Sequence, residues 1–284
     1  MGSECIAVKK LVHGFNGKTV LDGIDLTVER GEVFGLLGPS GAGKTTLIRI
    51  LTGQLKPDGG TAAVWGKRSD RLEDSDYRRI GVVMDAAGLY ERLSCYDNLL
   101  LFTRIYGLKP SRIMEVLEQV GLADAAKKPA GHISKGMKQR LVLARAILHE
   151  PDLLFMDEPT SGLDPKTAAA IWELINKSRK KGTAVFLTTH NMEEAYRLCS
   201  HIALLDGGRI IEYGVPEEVC RKYDKNHIIS VLLKSGESMG IPNKKESAEL
   251  IRSYLETEQI ASIHSQEPNL ETVFIELTGR RLDG

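Results

Sequence analysis

Residues 38–45 of the 284-residue chain read Gly-Pro-Ser-Gly-Ala-Gly-Lys-Thr, a glycine-rich stretch that ends in a lysine and a threonine. The apolar run EVFGLL ends just before it, and the helical sequence TTLIRILTG begins at its last residue. The stretch therefore fits the pattern G-x-x-x-x-G-K-[ST] in its strand, loop and helix context. Backbone N–H groups of such a loop point inward, and the following helix adds its positive end. The pattern predicts a phosphate-binding loop, with a plain glycine-rich turn as the alternative.

The residues of this loop are the candidate ligands of a nucleoside triphosphate. Lys44 is expected to reach the β- and γ-phosphates, and Thr45 is expected to ligate Mg²⁺ through its hydroxyl. The predicted nucleotide-binding residues of the loop are Gly38, Pro39, Ser40, Gly41, Ala42, Gly43, Lys44, Thr45 and Thr46.

Composition and charge exclude several classes of protein. Hydrophobic residues make up 42% and charged residues 27%, with 38 basic against 38 acidic side chains. This balance is typical of a globular protein and argues against one that mainly neutralises nucleic-acid phosphates. The longest stretches without charged residues, 33–43 and 182–192, are shorter than the roughly 18 apolar residues of a membrane span. We therefore predict a cytoplasmic chain whose four cysteines, far apart in the sequence, stay reduced.

The pattern of apolar runs predicts an α/β fold. Residues 5–30 alternate apolar and polar side chains around a break at residues 14–17, which indicates short antiparallel strands. After them, apolar runs alternate with helical stretches, and the runs are EVFGLL, IGVVM, DLLFM, TAVFLT and HIALL. Continuous apolar strands separated by helices are typical of a mostly parallel sheet that is covered on both faces.

Two regions interrupt or follow this alternation. Residues 94–150 are helical by period and contain no strand candidate, which predicts a helical subdomain inserted over about residues 86–150. After residue 222 the chain restarts, and the predicted elements are a strand in HIISVLLK, a polar break over 235–245, a helix over 246–258, a strand near Ile260 and a last helix from Pro268. We predict a principal domain over residues 1–222 and a small α/β module over 223–284.

Two acidic residues, Asp157 and Glu158, follow the apolar run DLLFM. They come at the carboxyl end of a strand, where open α/β sheets place their chemistry. Asp157 suits water-mediated binding of Mg²⁺, and Glu158, which points the other way, suits polarising an attacking water. Ordinary strand-end charges are the alternative for the pair alone. Together with a phosphate-binding loop, the pair indicates nucleotide hydrolysis.

Residues 133–140, ISKGMKQR, resemble the signature motif of ATP-binding cassette (ABC) ATPases. The other motifs of the family follow in its order and spacing: Phe15 at the adenine-stacking position, Asp157 and Glu158 as Walker B, residues 161–164 (SGLD) as the D-loop, and His190 as the switch histidine. The resemblance covers residues 5 to about 220. It implies a P-loop ATPase fold, ATP and Mg²⁺ as cofactors, and Lys44, Glu158 and His190 as catalytic residues. Taken singly, Phe15 could be a packed core aromatic and His190 a strand-end residue without chemistry.

In this family two cassettes pair head to tail, and the signature motif of one caps the nucleotide of the other. The resemblance therefore implies a dimer, either a homodimer or a pair with a sister ATPase, in which Ser134 and Gly136 complete the site of the second cassette. Asp164 of the D-loop is a further predicted nucleotide-binding residue. Ser134 can cap its helix and Gly136 exposes a backbone N–H, so a positive helix end could face a γ-phosphate. A plain helix N-terminus is the alternative. Lys135 replaces the commoner glycine of the motif and keeps the positive character.

A second departure from the family pattern is Asp85, which follows IGVVM where the family normally has a glutamine that touches Mg²⁺. We predict Asp85 as a metal ligand beside Thr45 and Asp157. Asp85, the string GLYERLSCYDNL, the form GMKQR and the closing LETVFIELTG resemble ATPase subunits of bacterial peptide-antibiotic exporters of the bacitracin and lantibiotic resistance type. Export of drugs, lipids or polysaccharides by related subunits stays open.

The resemblance implies an ATP-hydrolysing subunit that powers export through separate integral membrane subunits, at the inner face of the cell membrane and without a nucleic-acid partner. Leu89 and Tyr90 are candidates for the membrane-subunit contact, although buried core positions would explain them equally. A soluble cassette ATPase acting on nucleic acid or ribosomes is one alternative, but it usually needs a long coiled coil or a second cassette. A small GTPase or P-loop kinase is another, because Asn243-Lys-Lys-Glu246 approaches the N-K-x-D pattern. Glu246 stands there in place of the aspartate.

Overall fold

The structure is a computed structural model that describes residues 4–84, 88–224, 227–266 and 268–281. The chain divides into two compact units, of which the first ends at Val215 and the second spans Pro216–Arg281. The boundary predicted at residue 222 falls at the end of the helix that begins the second unit. Within the described ranges, every helix is too short or too polar to span a lipid bilayer.

The first unit holds two sheets and the helices that cover them. In chain order its elements are β1 (Glu4–Phe15), β2 (Lys18–Glu29), β3 (Val33–Leu37), α1 (Lys44–Leu51), β4 (Gly59–Val64), β5 (Lys67–Arg68), α2 (Asp74–Tyr77), β6 (Ile80–Val83), α3 (Cys95–Tyr106), α4 (Ser111–Gln119), α5 (Lys135–Ile147), β7 (Leu153–Asp157), α6 (Pro165–Lys180), β8 (Ala184–Thr189), α7 (Met192–Leu198), β9 (His201–Asp206) and β10 (Arg209–Gly214). The smaller sheet has the order β2-β1-β4-β5, and the larger has the order β10-β9-β3-β8-β7-β6.

The smaller sheet confirms the predicted antiparallel strands near the N-terminus. Its strands β1 and β2 have 12 residues each, so they are longer than the short strands that the sequence indicated. The pairing is antiparallel and shifts register at several points, so the alternation of apolar and polar side chains is interrupted along both strands. Apolar residues such as Leu11 and Ile24 face the core from this sheet.

The larger sheet confirms the mostly parallel core. All five predicted apolar runs form its strands β3, β6, β7, β8 and β9, and β10 adds an antiparallel edge. Its residues Phe34, Phe155 and Phe186 are fully buried, and their rings lie within 5.8 Å of a neighbouring ring centroid. Because β3, β8 and β7 are parallel neighbours, their carboxyl ends come together at one edge of the sheet.

The inserted helical subdomain is also confirmed. Helices α3, α4 and α5 occupy residues 95–147, and the described part of this region contains no strand beyond an isolated bridge between Ser94 and Pro129. Ser94 caps α3 through its side chain, which accepts a hydrogen bond from the backbone N–H of Asp97. Gly107 ends the same helix in the left-handed conformation.

The second unit is the predicted small α/β module, with the elements α8 (Pro216–Lys222), β11 (Ile228–Leu233), β12 (Ser238–Pro242), α9 (Ala248–Glu256), β13 (Ile260–Gln266) and α10 (Leu270–Thr278). Its antiparallel sheet has the order β12-β11-β13. The polar break expected over 235–245 is wrong, because β12 lies within it and pairs with β11. Only Ile241 of β12 is buried, so the strand lacks the apolar pattern by which strands are recognised.

The cysteines agree with the prediction of reduced thiols. Cys5, Cys95, Cys199 and Cys220 are all buried, and no disulfide joins them. They fill space in the interior as small apolar side chains.

Candidate functional site

The glycine-rich loop joins the end of β3 to the start of α1, and its backbone path requires glycine at two positions. A Cβ atom at Gly38 would lie 2.3 Å from the carbonyl oxygen of Leu205, which leaves no room for a side chain. Gly43 has φ +110°, a conformation that other residues rarely adopt. The loop therefore keeps its shape only with these glycines, as the sequence pattern predicts.

Lys44 is the first residue of α1, and its side chain is almost fully buried. Its Nζ donates hydrogen bonds to the carbonyl oxygens of Gly38 at 2.6 Å and Pro39 at 3.2 Å. The same atom lies 3.1 Å from Oε1 of Glu158. A buried ammonium needs such partners, so the three contacts hold Lys44 against the loop and the end of β7.

Thr45 and Asp157 form the candidate Mg²⁺ site. The Thr45 hydroxyl donates to Oδ2 of Asp157 at 2.6 Å, and the Thr188 hydroxyl donates to Oδ1 of the same carboxylate. Mg²⁺ prefers oxygen ligands and usually takes only one or two from the protein, with waters and phosphate oxygens for the rest. The hydroxyl and carboxylate fit this preference. Asp85, the third predicted ligand, lies outside the described residues.

Glu158 and His190 meet where β7 and β8 end. Nδ1 of His190 lies 2.6 Å from Oε2 of Glu158. Glu158 has φ +49°, a region that is sparsely populated for residues other than glycine. Its backbone N–H donates to the carbonyl oxygen of Thr188 at 3.0 Å, which fixes this turn to β8. Glu158 thus contacts Lys44 through one carboxylate oxygen and His190 through the other.

A cavity of about 240 Å³ opens at this edge of the sheet. Its lining consists of residues from β2, the glycine-rich loop, α1 and the end of β7, namely Val20, Ser40, Gly41, Gly43, Lys44, Thr45, Thr46 and Glu158. Val20 was not predicted, because its position in β2 beside the loop follows only from the packing of the two sheets. Phe15, Ser134, Gly136 and Asp164 do not line this cavity.

Phe15 lies at the end of β1, and 44% of its surface is exposed. Its ring meets the ring of His13 edge to face, with 4.8 Å between the ring centroids. The exposure argues against a packed core aromatic. It leaves part of the ring accessible to a planar base.

The predicted signature residues lie at the start of α5, next to the start of α6. Ser134 caps α5 by accepting a hydrogen bond from the N–H of Met137 at 3.3 Å. Asp164 caps α6 by accepting from the N–H of Thr167 at 3.0 Å and from its hydroxyl at 2.7 Å, and the Thr167 bonds lower the pKa of Asp164. A Cβ atom at Gly136 would lie 2.9 Å from Cγ2 of Thr167, so the two helix starts are in close contact.

The segment 88–94 is held by two side chains from the helical subdomain. Asn98 is buried, and it accepts from the N–H of Tyr90 at 2.8 Å and donates to the Tyr90 carbonyl oxygen at 3.1 Å. Arg145 of α5 donates to the carbonyl oxygen of Gly88 at 2.5 Å. Tyr90 itself is 56% exposed, so it is not a buried core position, whereas Leu89 is half-buried.

Two residues of this site, Thr188 and Glu194, were not predicted from the sequence. Thr188 binds Asp157, and its place at the carboxyl end of a buried strand, two residues before His190, was the available signal. Glu194 is fully buried four residues after His190, but a glutamate near a helix start reads as an exposed helix-capping charge. Its burial depends on contacts that are distant in sequence.

Comparison with known proteins gives consistent matches. The sequence model described as ABC transporter matches residues 21–161. The fluoroquinolones export ATP-binding protein of Mycobacterium tuberculosis is 38% identical over 99% of this chain and 96% of its own length. The daunorubicin/doxorubicin resistance ATP-binding protein of Streptomyces peucetius is 34% identical over 99% of this chain and 94% of its own length. A solved structure of the ATP binding subunit of an ABC transporter has a TM-score of 0.70 and 32% identity, covering 77% of this chain and 93% of that one.

Proposed function

This chain belongs to the ABC transporter family as an ATP-hydrolysing subunit of the export and resistance group, and from that membership we propose that it powers the export of a drug or peptide antibiotic. The relatives that support an export role are named for fluoroquinolones and for daunorubicin and doxorubicin. A bacitracin or lantibiotic type of peptide remains our expectation from the sequence strings around Asp85 and residues 136–140.

The observation that carries the proposal is the placement of Glu158 between Lys44 and His190, at 3.1 and 2.6 Å. In the proposed mechanism Lys44 and the loop N–H groups bind the phosphates of ATP, and Glu158 orients and polarises the attacking water. His190 holds the carboxylate of Glu158 from the other side and contacts the γ-phosphate. Thr45 and Asp157 would hold Mg²⁺, which neutralises phosphate charge when it is bound.

Lys44 must change partners when ATP binds. Its Nζ is engaged with two loop carbonyls and with Glu158, and phosphate oxygens would replace at least the contact with Glu158. Release from Lys44 leaves the carboxylate of Glu158 available to accept a hydrogen bond from water. Binding of ATP would thereby also free Glu158 to act as the general base.

The proposed active assembly is a homodimer. Ser134, Gly136 and Asp164 do not line the cavity that contains Lys44. They lie instead where the starts of α5 and α6 are in close contact. Helix N-termini attract phosphate through their unpaired N–H groups and their dipole. We therefore propose that these residues face the ATP of a second copy, while Phe15 stacks on the adenine of the copy that holds it.

We also propose integral membrane subunits as partners, with the chain bound to the inner face of the cell membrane. Exposed Tyr90, on a segment fixed by Asn98 and Arg145, is the proposed contact. Nucleic acid is not an expected partner, given the balanced charge of the chain.

Copurification tests this proposal. The chain is expressed with an affinity tag in its native host, and solubilised membranes are analysed for integral membrane proteins that bind it. Tyr90→Asp should lose that partner while ATP hydrolysis by the purified chain stays within about twofold. Tyr77→Asp, at another exposed tyrosine of the first unit, serves as the control. Capture of ribosomes or nucleic acid instead of a membrane protein would favour the soluble alternative.

A further inference from the structure

Glu194 is a buried carboxylic acid to which the proposed mechanism gives no role. It lies on α7 and has no exposed surface. Its Oε1 accepts hydrogen bonds from the hydroxyl of Thr160 at 2.8 Å and from Nε1 of Trp172 at 2.9 Å. A carboxyl group is rarely buried without a specific reason, because removal from water is costly.

One of these contacts reaches the turn that carries Glu158. Thr160 follows Glu158 by two residues, and the turn is closed by a hydrogen bond from the N–H of Ser161 to the carbonyl oxygen of Glu158 at 3.2 Å. The N–H of Leu163 then donates to the carbonyl oxygen of Thr160 at 3.1 Å. The hydrogen bond from the Thr160 hydroxyl to Glu194 therefore restrains the turn that carries Glu158.

Glu194 itself lies near the start of α7, which begins directly after His190. The Asn191 side chain caps this helix by accepting from the N–H groups of Glu193 and Glu194, at 3.0 and 3.1 Å. Glu194 is therefore fixed to the turn that carries His190, while its carboxyl group is fixed to the turn that carries Glu158.

We infer that Glu194 is a positioning residue, which keeps Glu158 and His190 in contact by tying the turn after β7 to the start of α7. The inference rests on the catalytic roles proposed for Glu158 and His190. Such a tie is needed because Glu158 has φ +49°, and a backbone in a sparsely populated region persists only where its surroundings hold it.

The surroundings of the carboxyl group also bear on its charge. Burial raises the pKa of Glu194, the hydrogen bonds from Thr160 and Trp172 act in the opposite direction, and the charge of Glu158 adds to the rise. The role assigned to Glu194 needs an oxygen acceptor rather than a negative charge. Glutamine, which keeps that oxygen, should therefore replace it.

The test compares two substitutions at one position in the full-length chain. Glu194→Gln keeps an acceptor and the shape of the side chain, whereas Glu194→Met keeps the length and removes the acceptor. Steady-state ATPase rates are measured together with binding of a fluorescent ATP analogue. We expect Glu194→Met to lower kcat about 10- to 100-fold, the scale of a displaced catalytic group, with KM and analogue binding within about twofold. Glu194→Gln should retain most of kcat.

Thr160→Val gives an independent arm, should Glu194→Met fail to fold. It removes the donor on the catalytic turn and should lower kcat, whereas Trp172→Phe removes the donor on α6 and should lower kcat less. Normal kcat in folded Glu194→Met or Thr160→Val would overturn the inference. Equal losses in Glu194→Gln and Glu194→Met would overturn it too, because charge rather than the acceptor would then matter. Failure of the proposed function would show differently, as normal turnover in Glu158→Gln.

Discussion

Nζ of Lys44 lies 3.1 Å from Oε1 of Glu158, so the cation expected to bind phosphate contacts the carboxylate expected to activate water. The contact is largely buried, since the Lys44 side chain is 7% exposed and that of Glu158 is 27% exposed. Two opposite charges attract more strongly there than at the surface. We therefore expect Glu158 to compete with the phosphates of ATP for Lys44.

Glu158→Gln should have two effects of opposite sign. The amide lacks the negative charge, so Lys44 is released more easily and ATP should bind several-fold more tightly. Turnover should fall by at least the roughly 100-fold that is typical of a lost general base. An ATP-bound dimer should then accumulate, which gel filtration with ATP and Mg²⁺ detects.

Glu193→Gln is the matched control for that experiment. Glu193 lies on the start of α7 and pairs with Arg197 at 2.9 Å, with both side chains exposed. Its replacement should leave binding and turnover unchanged, because exposed pairs of this kind contribute little. Near-normal hydrolysis by Glu158→Gln would remove Glu158 from its proposed role.

A magnesium titration at fixed ATP tests the proposed metal ligands. Asp157→Asn should raise the Mg²⁺ concentration for half-maximal ATPase activity, because a hard cation prefers an anionic oxygen. Asp85→Asn should do the same if Asp85 faces the metal, a prediction that rests on the sequence alone. Asp152→Asn, at an exposed carboxylate paired with Arg79, is the control. An unchanged midpoint for Asp85→Asn would leave coupling to the membrane subunit as its proposed role.

The contrast between Asp157 and Thr188 shows how far the sequence alone reaches at the site. Asp157 was predictable because it ends a continuous apolar run, and position at a strand end is a local property. Its hydrogen bond from Thr188 depends on the parallel register of β7 and β8, in which Asp157 pairs with Thr188. Strand order and register arise from packing across the sheet, which one sequence does not reveal. The contact of Lys44 with Glu158 has the same origin.

The fold shows the same division between local and distant causes. Strands buried on both faces were predicted, because their side chains are apolar without interruption. Strand β12 was not predicted, because only its residue Ile241 is buried. Strands β4 and β10 were not predicted either, because they are edge or half-exposed strands with mixed side chains. Edge strands carry a weaker hydrophobic pattern, so propensity and turn residues have to identify them.

Removal of the second unit should leave ATP binding intact. Every residue that lines the 240 Å³ cavity belongs to the first unit, and the second unit has its own core around Val231, Leu233 and Ile241. A chain that ends at Val215 should therefore bind a fluorescent ATP analogue with unchanged affinity, while dimerisation or regulation changes. Complete loss of binding by a folded truncation would show that the site or the boundary is wrong.

The buried cysteines should resist thiol reagents in the native protein. Burial raises the pKa of Cys5 to about 11, and it raises the pKa of Cys199 further. Because the thiolate is the reactive form, Cys5 at pH 8 should hold about 100-fold less of it than a thiol of pKa 9. A colorimetric disulfide reagent should react with neither residue until denaturant is added. Rapid labelling of Cys5 or Cys199 in the folded chain, located by mass spectrometry, would contradict this.

The raised pKa of Glu194 predicts how stability depends on pH. The folded chain holds the Glu194 proton more tightly than the unfolded chain, in which the carboxyl has its ordinary pKa of 4.5. Above that pH, ionisation in the unfolded state favours unfolding, so this residue's contribution to stability falls as pH rises and levels off above the raised pKa. Glutamine does not titrate, so the denaturant midpoint of Glu194→Gln should rise relative to that of the wild type as the pH increases from 5 to 8. Glu193→Gln controls for the loss of one carboxylate on α7. A difference between Glu194→Gln and wild type that is constant over this range, or that changes in the opposite direction, would show that folding does not raise the pKa of Glu194.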